Sequence, residues 1–413
     1  RFYMVKRSKL LSVLLSGAML TSVLVGCGSS NETSDGSDNS SSDGKDTLVV
    51  WSHFQQNEVD ALQDVVKQWG EENNVKVDLK YDGSEFDAMS QALQSGKGPD
   101  VVLGYPHDNL GKLYKAGLLA TCPDDLIDES LYSSENLFDS VTVNGDRIGV
   151  PVCQESIALY YNKDLVSSVP ETFEELIKIG KEKGFEFDLT NFYYAAGFLL
   201  NGDSYIFKNN NGTLDVNDIG LDSSDAIKGL EFLKELVDEG LMASDITDDI
   251  AKSDFQAGKT AFYISGPWNV DSTKDANVNF DIAELPTLNG NKLSNLTTIQ
   301  SAFVPSKSKN QDLAWELIKY LSENTSQVLF EEGSRLPVLT SAMESDWFKS
   351  ADYVQGFLDQ AENGTPTPNI AEMSTVWNPC ANNIKSVLNG ELTAEEAGKN
   401  MVTQIKSAIA EME

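Results

Sequence analysis

The sequence predicts an α/β fold in which the strands of a parallel sheet alternate with helices. Thr47–Trp51 is a short, continuously apolar run, which is typical of a parallel strand buried on both faces. Apolar residues then recur at helical spacing from Val59 to Trp69, and Val75–Tyr81 alternates like a second strand. Strand–helix–strand alternation of this kind predicts a doubly wound sheet flanked by helices.

The same alternation continues along the chain. The spacing of Phe86, Met89 and Leu93 predicts a helix, and Asp100–Leu103 is again a buried strand. Later predicted strands are Arg147–Gln154, Ser156–Tyr161, Thr260–Ser265 and Gln300–Val304, and later predicted helices are Phe173–Ile179, Ala226–Val237, Ile246–Ala257, Leu313–Leu321, Met373–Leu388 and Ala394–Ile409. Because no long linker separates these elements, two lobes would have to be joined by short crossings.

Composition and charge restrict the class of partner. The chain has 413 residues, of which 40% are apolar, enough for two or three domains with sizeable cores. Acidic residues outnumber basic ones by 64 to 31, which gives a formal net charge of −33. A field of that sign repels phosphate backbones, so no nucleic-acid partner is expected. His53 and His107 are the only histidines, which excludes a site built from several histidines.

The N-terminus has the pattern of a secretory signal. A basic start at Lys6–Lys9 precedes an apolar run at Leu10–Val25, and a small residue then leads to Cys27. This ending resembles the signal of bacterial lipoproteins, which implies a signal peptide at residues 1–26 and lipidation of Cys27. An uncleaved anchor helix is the alternative. Because the segment after Cys27 lacks apolar side chains, we expect residues 27–46 to be the lipidated cysteine and a disordered tether.

No cofactor or metal site is predicted. Gln256–Thr260 is similar to the end of a phosphate-binding loop, but Ser253 stands where that motif needs glycine. Asn209–Asp218 lacks the spacing of a calcium loop and fits a solvated turn. Three further cysteines lack metal-ligand spacing and are expected as buried thiols, or as one disulfide and one thiol: Cys122, Cys153 and Cys380.

Aromatic residues next to predicted strands and turns are candidate ligand-binding groups. Trp268 and Tyr105 each follow an apolar strand, Trp377 follows a proline-rich turn, and Tyr193 lies in a run of aromatics at a polar turn. Sheets of α/β proteins place ligand-binding groups at such positions. A flat ring there can stack on the apolar C–H face of a pyranose. A place in the hydrophobic core is the alternative for each ring.

Two acidic residues can bind the hydroxyl groups of such a ligand. Asp108 follows a buried strand and opens a helix, where its alternative role is to cap that helix. Glu155 lies between two otherwise apolar strands. A buried charge at that position must be paired within the protein or serve a ligand. We therefore predict that Asp108 and Glu155 are ligand-binding residues.

Seven short segments resemble the maltose/maltodextrin-binding proteins of bacterial ABC sugar importers. They run in order over almost the whole folded body: Leu48–Trp51, Gly98–Val101, Ala116–Leu119, Tyr161–Leu165, Phe255–Ala261, Gly266–Trp268 and Pro368–Ser374. The combination of Tyr-Asn-Lys-Asp-Leu, Gly-Pro-Trp and Pro-Asn-Ile-Ala-Glu-Met-Ser separates this group from solute-binding proteins for amino acids or metals.

The resemblance implies a two-lobed periplasmic-binding-protein fold, in which each lobe is a sheet flanked by helices and the ligand cleft lies between the lobes. The first lobe would hold residues 47–152 and 302–345, and the second would hold residues 156–299 and 350–413. Three crossings between the lobes would form the hinge.

The resemblance also implies roles for individual residues. Trp268 and Trp377 would stack on sugar rings from the second lobe, with Tyr193 beside them. Asp108 and Glu155 would bind hydroxyls from the first lobe and the hinge.

Other cleft positions depart from the family pattern. The family's cleft lysine aligns near Gln56, with Gln55 beside it, and its first-lobe tryptophan aligns near Tyr105. The glutamate beside the family's cleft tyrosine is Asn191 here. These residues can still form hydrogen bonds, and we include all four among the predicted ligand-binding residues.

The implied function is that of a substrate-binding lipoprotein. It would capture maltose/maltodextrin-type oligosaccharides as a monomer on the outer face of the cytoplasmic membrane and deliver them to ABC permease subunits, without catalysis. One alternative is a surface glycoside hydrolase that uses Asp108 and Glu155 as its carboxylate pair. Another is a sugar sensor that works with a signalling kinase.

Overall fold

The computed structural model describes residues 46–210 and 213–412. The signal peptide predicted at 1–26, Cys27 and the tether up to residue 45 lie outside the described residues. None of the helices in the described ranges has the length and apolar character needed to cross a membrane.

The structure confirms an α/β protein rich in helices. Its strands, numbered along the chain, are β1 Thr47–Ser52, β2 Lys76–Tyr81, β3 Val101–Pro106, β4 Thr142–Val143, β5 Asp146–Arg147, β6 Val150–Ser156, β7 Ala158–Asn162, β8 Phe185–Glu186, β9 Lys208–Asn210, β10 Thr213–Asp215, β11 Phe262–Ser265, β12 Phe280–Ala283, β13 Leu296–Phe303, β14 Leu336–Pro337 and β15 Thr365–Pro366. Its α-helices are α1 Gln56–Glu72, α2 Phe86–Ser95, α3 Leu110–Lys115, α4 Phe173–Lys183, α5 Phe192–Leu199, α6 Ser224–Asp238, α7 Asp248–Gln256, α8 Val270–Asp275, α9 Gln311–Asn324, α10 Ser326–Gly333, α11 Thr340–Met343, α12 Asp346–Lys349, α13 Val354–Glu362, α14 Trp377–Leu388 and α15 Ala394–Ala410.

The larger sheet has seven strands in the order β14-β6-β13-β3-β1-β2, with β15 also paired to β13. As the apolar run of β1 predicts, this strand is parallel to both of its neighbours, β2 and β3. The sheet as a whole is mixed, because β13 runs antiparallel to β3 and to β6. Three successive parallel strands therefore bring their carboxyl ends to one edge of the sheet.

A second sheet of four strands has the order β12-β7-β11-β8. β7 is antiparallel to β11 and β12, and β8 is parallel to β11. Its core is dense in aromatic rings, since Tyr160, Phe198 and Phe255 are each no more than 1% exposed. Burial of each such side chain contributes roughly 1.5–3 kcal/mol.

The buried apolar residues form two clusters, here called the first core and the second core. The first core surrounds the larger sheet and contains Leu48, Val50 and Leu103. The second core surrounds the smaller sheet and contains Tyr160 and Phe198.

Three neighbouring strands of the larger sheet pass between the two cores. Val152 of β6 lies in the first core, and Ile157, the residue directly after this strand, lies in the second core. β13 begins with Leu296 in the second core and ends with Phe303 in the first. β14 begins with Leu336 in the second core, and the chain returns to the first core two residues later. These strands, here called the crossing strands, lie side by side as β14-β6-β13.

The three cysteines of the folded body are free and buried: Cys122, Cys153 and Cys380. This arrangement is the buried-thiol alternative of the sequence analysis, and it leaves no disulfide among the described residues.

Candidate functional site

Polar residues follow each of the three parallel strands β1, β2 and β3. His53, Gln55 and Gln56 follow β1, Asp82 follows β2, and His107 and Asp108 follow β3. Ligands of α/β sheets bind beyond the carboxyl ends of the strands. We call this set of residues the polar edge of the larger sheet.

Asp108 is the acidic residue that follows β3. It sits in the 3-10 turn His107–Asn109 and is partly exposed. Burial raises the pKa of its carboxyl from 3.8 to about 6, because desolvation disfavours the charged form. The helix that follows starts at Leu110 with Asn109 at the cap position, so the capping alternative for Asp108 is not realised.

His107 fixes the turn that carries Asp108. The ring is fully buried, and its Nδ1 accepts a hydrogen bond from the Ile299 backbone N–H at 3.0 Å. Its Nε2 must then carry the proton and donate to the Thr367 carbonyl at 2.8 Å. Burial lowers the pKa of His107 to about 4, so the neutral ring persists across the physiological range. The histidine is therefore a structural anchor for the site.

The loop after β1 presents two exposed amides. The Gln55 N–H donates to Glu58 Oε2 at 2.7 Å, as part of a capping box that starts α1. The Gln55 side-chain amide donates to the Trp268 carbonyl at 3.3 Å, a contact that spans 213 residues of sequence. The Gln56 side chain bonds Asp60 at 2.8 Å on the surface of the same helix.

Tyr105 lies in the first core and is 3% exposed. Its ring packs in edge-to-face contact with the rings of His53 and Phe303, with 4.6 Å and 5.8 Å between the ring centroids. Burial, with the charges of Asp108 and Asp82 as smaller causes, raises the pKa of its hydroxyl above the usual value. The ring is therefore covered by protein in this structure, although it lies close to the acids of the polar edge.

A group of aromatic rings gathers at the start of α5 and belongs to the second core. Trp268 packs against Tyr193 with 6.3 Å between ring centroids and against Tyr194 with 6.4 Å. Trp377 meets Phe192 edge-on at 6.0 Å. Trp268, Trp377 and Tyr193 are each partly exposed, and we call these three residues the aromatic group. Two tryptophans that are 109 residues apart in sequence are thus held by one short helix.

Local backbone contacts fix the orientation of the aromatic group. The exposed Asn191 caps α5, since its Oδ1 accepts from the Tyr193 N–H at 3.0 Å. The Trp268 ring lies directly over Gly266, where a Cβ atom would come within 2.1 Å of the indole. The backbone conformation of Gly266 is one that any residue can adopt. The need for glycine at this position therefore comes from the close approach of the indole.

Replacing Gly266 with alanine is therefore expected to displace the Trp268 indole. The new methyl group overlaps the ring, and the rotation that relieves this overlap moves the exposed indole face. We expect ligand affinity to fall by about tenfold, with a smaller effect on thermal stability because Trp268 is only partly buried. Calorimetric titration together with a melting curve checks this result.

Glu155 is 6% exposed and is held by two protein groups. Its Oε1 is in ion-pair contact with Arg335 Nη1, and its Oε2 accepts from the Gln300 amide at 2.8 Å. The structure thus supplies the pairing partner that was the alternative to a ligand role for this carboxylate.

The polar edge and the aromatic group approach each other. The Gln55 amide reaches the Trp268 carbonyl, as described above. Burial raises the pKa of the Tyr193 hydroxyl to about 12, and the negative charge of Asp108 adds to that shift. Trp268 and Tyr193, which pack against the second core, therefore lie near Gln55 and Asp108 of the polar edge. Such an arrangement suits an uncharged ligand with apolar faces and hydroxyl edges.

Two parts of this site were not predicted from the sequence. Asp82 lies 3.2 Å from His53 Nε2, and burial lowers the pKa of that histidine. The polar run that follows β2, Asp82–Glu85, is the signal that could have indicated it. Arg335 and Glu58 form a buried ion pair next to Glu155, and no local motif distinguishes them.

Comparison with known proteins gives consistent results. The family described as bacterial extracellular solute-binding protein matches residues 64–355. A "maltooligosaccharide ABC transporter solute-binding lipoprotein" of Streptococcus pneumoniae is 31% identical, with 98% of each chain covered. A "galactooligosaccharide-binding protein" of Bacillus subtilis is 30% identical, with 95% of each chain covered. The solved maltose-maltodextrin binding protein of Alicyclobacillus acidocaldarius superposes with a TM-score of 0.83 at 32% identity, covering 87% of this chain and all of that one.

Proposed function

Because the chain belongs to the bacterial extracellular solute-binding proteins, we propose that it captures an oligosaccharide of the maltodextrin type and delivers it to an ABC permease. The observation that supports this proposal is the partly exposed aromatic group, whose Trp268 contacts Gln55 and whose Tyr193 lies near Asp108. The two indoles stack on pyranose faces, and Asp108 accepts hydrogen bonds from sugar hydroxyls. We include Gln55, Gln56 and Asn191 among the proposed ligand-binding residues, because Gln55 contacts Trp268, Gln56 follows it in sequence, and Asn191 caps the helix that carries Tyr193.

The size of these interactions agrees with ordinary sugar affinities. Each stacked ring contributes roughly 0.5–1.5 kcal/mol beyond burial, and each hydrogen bond to a charged group contributes roughly 1.5–3 kcal/mol. Two stacking contacts and a few hydrogen bonds are enough for a micromolar dissociation constant, about −8 kcal/mol, after the costs of association.

A maltodextrin ligand is favoured by the S. pneumoniae and A. acidocaldarius relatives. The B. subtilis relative makes a galactooligosaccharide the second candidate, because it covers the chain nearly as fully. Both ligands present the same alternation of C–H faces and hydroxyl edges, so the aromatic group alone does not distinguish them.

Calorimetry against a panel of sugars tests the proposal. We expect maltotriose and longer dextrins to bind with a Kd of about 1 μM, and galacto-, xylo- and fructo-oligosaccharides to bind at least about tenfold more weakly. Tighter binding of galactooligosaccharides would select the second candidate. A chain that bound none of the panel would refute the proposed sugar ligand.

The arrangement of Glu155 argues against the hydrolase alternative. A glycosidase needs two carboxyl groups that flank the scissile bond, one of them free to transfer a proton. Both oxygens of Glu155 are engaged by Arg335 and Gln300, so this residue is not free for that role. Incubation with maltoheptaose should therefore yield no shorter chains.

The two cores support the division into lobes that the resemblance implies. We propose a first lobe of residues 47–152 and 302–345, a second lobe of residues 156–299 and 350–413, and closure around the ligand at the crossing strands. Closure follows if the sugar contacts both lobes, since only the closed state makes both sets of contacts.

We further propose that the protein acts as a monomer outside the cytoplasmic membrane. Removal of residues 1–26 would leave Cys27 as the lipidated first residue, and the tether would hold the folded body near the permease. The lipoprotein named among the relatives supports this location.

A further inference from the structure

A buried network of charged and polar side chains lies beside the candidate site. Arg335 donates from Nε to Glu58 Oε1 at 2.7 Å and from Nη2 to Glu58 Oε2 at 2.9 Å, a two-pronged ion pair. Its remaining nitrogen, Nη1, pairs with Glu155, which also accepts from Gln300. The side chains of the three charged residues are at most 7% exposed. We call these four residues the arginine network.

The arginine network joins all three crossing strands. Glu155 lies in β6, Gln300 lies in β13, and Arg335 directly precedes β14. On each strand the network residue lies close to the point where the chain changes from one core to the other. Rotation of the lobes about these strands would therefore change the surroundings of the guanidinium.

The same network holds the loop that carries Gln55. Glu58 is the third residue of α1 and accepts the Gln55 N–H at 2.7 Å, while the Phe54 ring lies 5.3 Å from the Arg335 guanidinium carbon. The Gln55 amide in turn contacts the Trp268 carbonyl. A continuous path of contacts thus runs from Arg335 through Glu58 and Gln55 to the aromatic group.

Stability alone does not account for the arginine network. Ions buried in this way lose their hydration, and apolar residues of similar volume often stabilise a protein as well or better. The chain also leaves room for the network. A Cβ atom at Gly333 would come within 2.0 Å of Glu58 Oε1, so glycine is needed there for the carboxylate to reach Arg335.

We infer that Arg335 is a positioning residue for ligand binding. Its three guanidinium nitrogens all pair with Glu58 or Glu155, so it acts on the site through these residues. It holds the Gln55 loop and the crossing strands in the one arrangement in which the two sides of the site face each other. The inference deepens the proposed function and rests on it for the identity of the ligand. Glu155 then acts indirectly, because it holds Arg335 and Gln300 in place.

Arg335→Lys tests the inference, because lysine keeps the charge but cannot form the planar two-pronged pair. We expect the Kd for maltotriose to rise by about tenfold or more, measured well below the unfolding transition. In the sugar-free protein, amide exchange of residues 53–58 should accelerate by about fivefold, while α6 in the second core keeps its natural rate.

A double-mutant cycle separates positioning from general destabilisation. If Arg335 acts through Gln55, Gln55→Ala should weaken binding several-fold in the natural chain and by less than about twofold in the Arg335→Lys background. Arg147→Lys is the matched control, because Arg147 also pairs with a glutamate, Glu129, and lies 4.7 Å from the Phe138 ring. It should leave the Kd unchanged.

Two results would overturn the inference. One is an unchanged Kd for maltotriose in a folded Arg335→Lys variant. The other is a Gln55→Ala substitution that weakens binding equally in the natural chain and in the Arg335→Lys variant. If the lysine variant does not fold, Glu58→Gln replaces it, since it keeps the shape of the side chain and one acceptor oxygen and removes the charge that pairs with Arg335. A natural chain that binds no sugar would refute the proposed ligand, and amide exchange of residues 53–58 would still decide the role of Arg335.

Discussion

Maltotriose binding is expected to weaken by about tenfold or more when Trp268 is replaced with alanine. The indole is partly exposed beside Tyr193, so a sugar ring can cover the face that the protein leaves open. Loss of that face removes a stacking contact worth roughly 0.5–1.5 kcal/mol together with the burial of its apolar area. Since about 1.4 kcal/mol corresponds to a factor of ten in Kd, calorimetric titration resolves the change easily.

Two further variants make the Trp268 result interpretable. Trp268→Phe keeps an aromatic face and should retain most of the affinity. Trp347→Ala removes a partly exposed tryptophan whose ring packs 5.2 Å from Phe330, outside the aromatic group, and should leave the Kd unchanged. If Trp268→Ala bound maltotriose as tightly as the natural chain, Trp268 would not belong to the site.

Asp108→Asn is expected to raise thermal stability near pH 7.5 while it lowers sugar affinity. The folded-state pKa of Asp108 is about 6, above its ordinary value of 3.8, so between these values the folded protein binds more protons than the unfolded chain. The free energy of unfolding contributed by this group therefore falls as the pH rises through that window. The ionised carboxylate therefore lowers the stability of the folded protein at neutral pH, and an asparagine side chain at this position does not.

Melting curves at several pH values check the stability effect. The Tm of Asp108→Asn should exceed that of the natural chain at about pH 7.5, and the difference should shrink as the pH approaches 4. Asp139→Asn, which alters an exposed carboxylate in the 3-10 helix Glu135–Val141, is the control and should show no such trend. Equal melting temperatures at neutral pH would mean that Asp108 is not desolvated.

Sugar affinity should depend on the same carboxylate. At about pH 5, roughly one-tenth of Asp108 groups would be ionised given a pKa of about 6, so the Kd should rise by about tenfold relative to pH 7.5. In Asp108→Asn the Kd should be higher at neutral pH and nearly independent of pH over this range. Calorimetry of both chains at the two pH values measures this directly.

Much of the fold could be predicted because its signals are local. The apolar run of β1 and the spacing in α1 are properties of a few consecutive residues, and both elements lie where the sequence places them. The resemblance to the maltodextrin-binding proteins is confirmed by the relatives, and it rests on short segments such as Gly266–Trp268. Trp268 lies in one of these segments, whereas Trp377 and Asp108 were predicted from their places after a turn and a strand.

The rest depends on contacts between distant parts of the chain. The sequence shows that a charge at Glu155 needs a partner, but it does not show which of the 31 basic residues supplies it. Arg335 is 180 residues away and reaches Glu155 only because β14 and β6 are neighbours in the sheet. Tyr105 is covered because β3 continues through it and pairs Tyr105 with Ser301, which extends the strand beyond its predicted end.

A crystal structure of the protein with maltotriose tests the central claim most directly. The account predicts pyranose rings against the Trp268 or Trp377 indole and a sugar hydroxyl within hydrogen-bonding distance of the Asp108 carboxylate. A sugar bound elsewhere, or bound with both indoles still free, would contradict it.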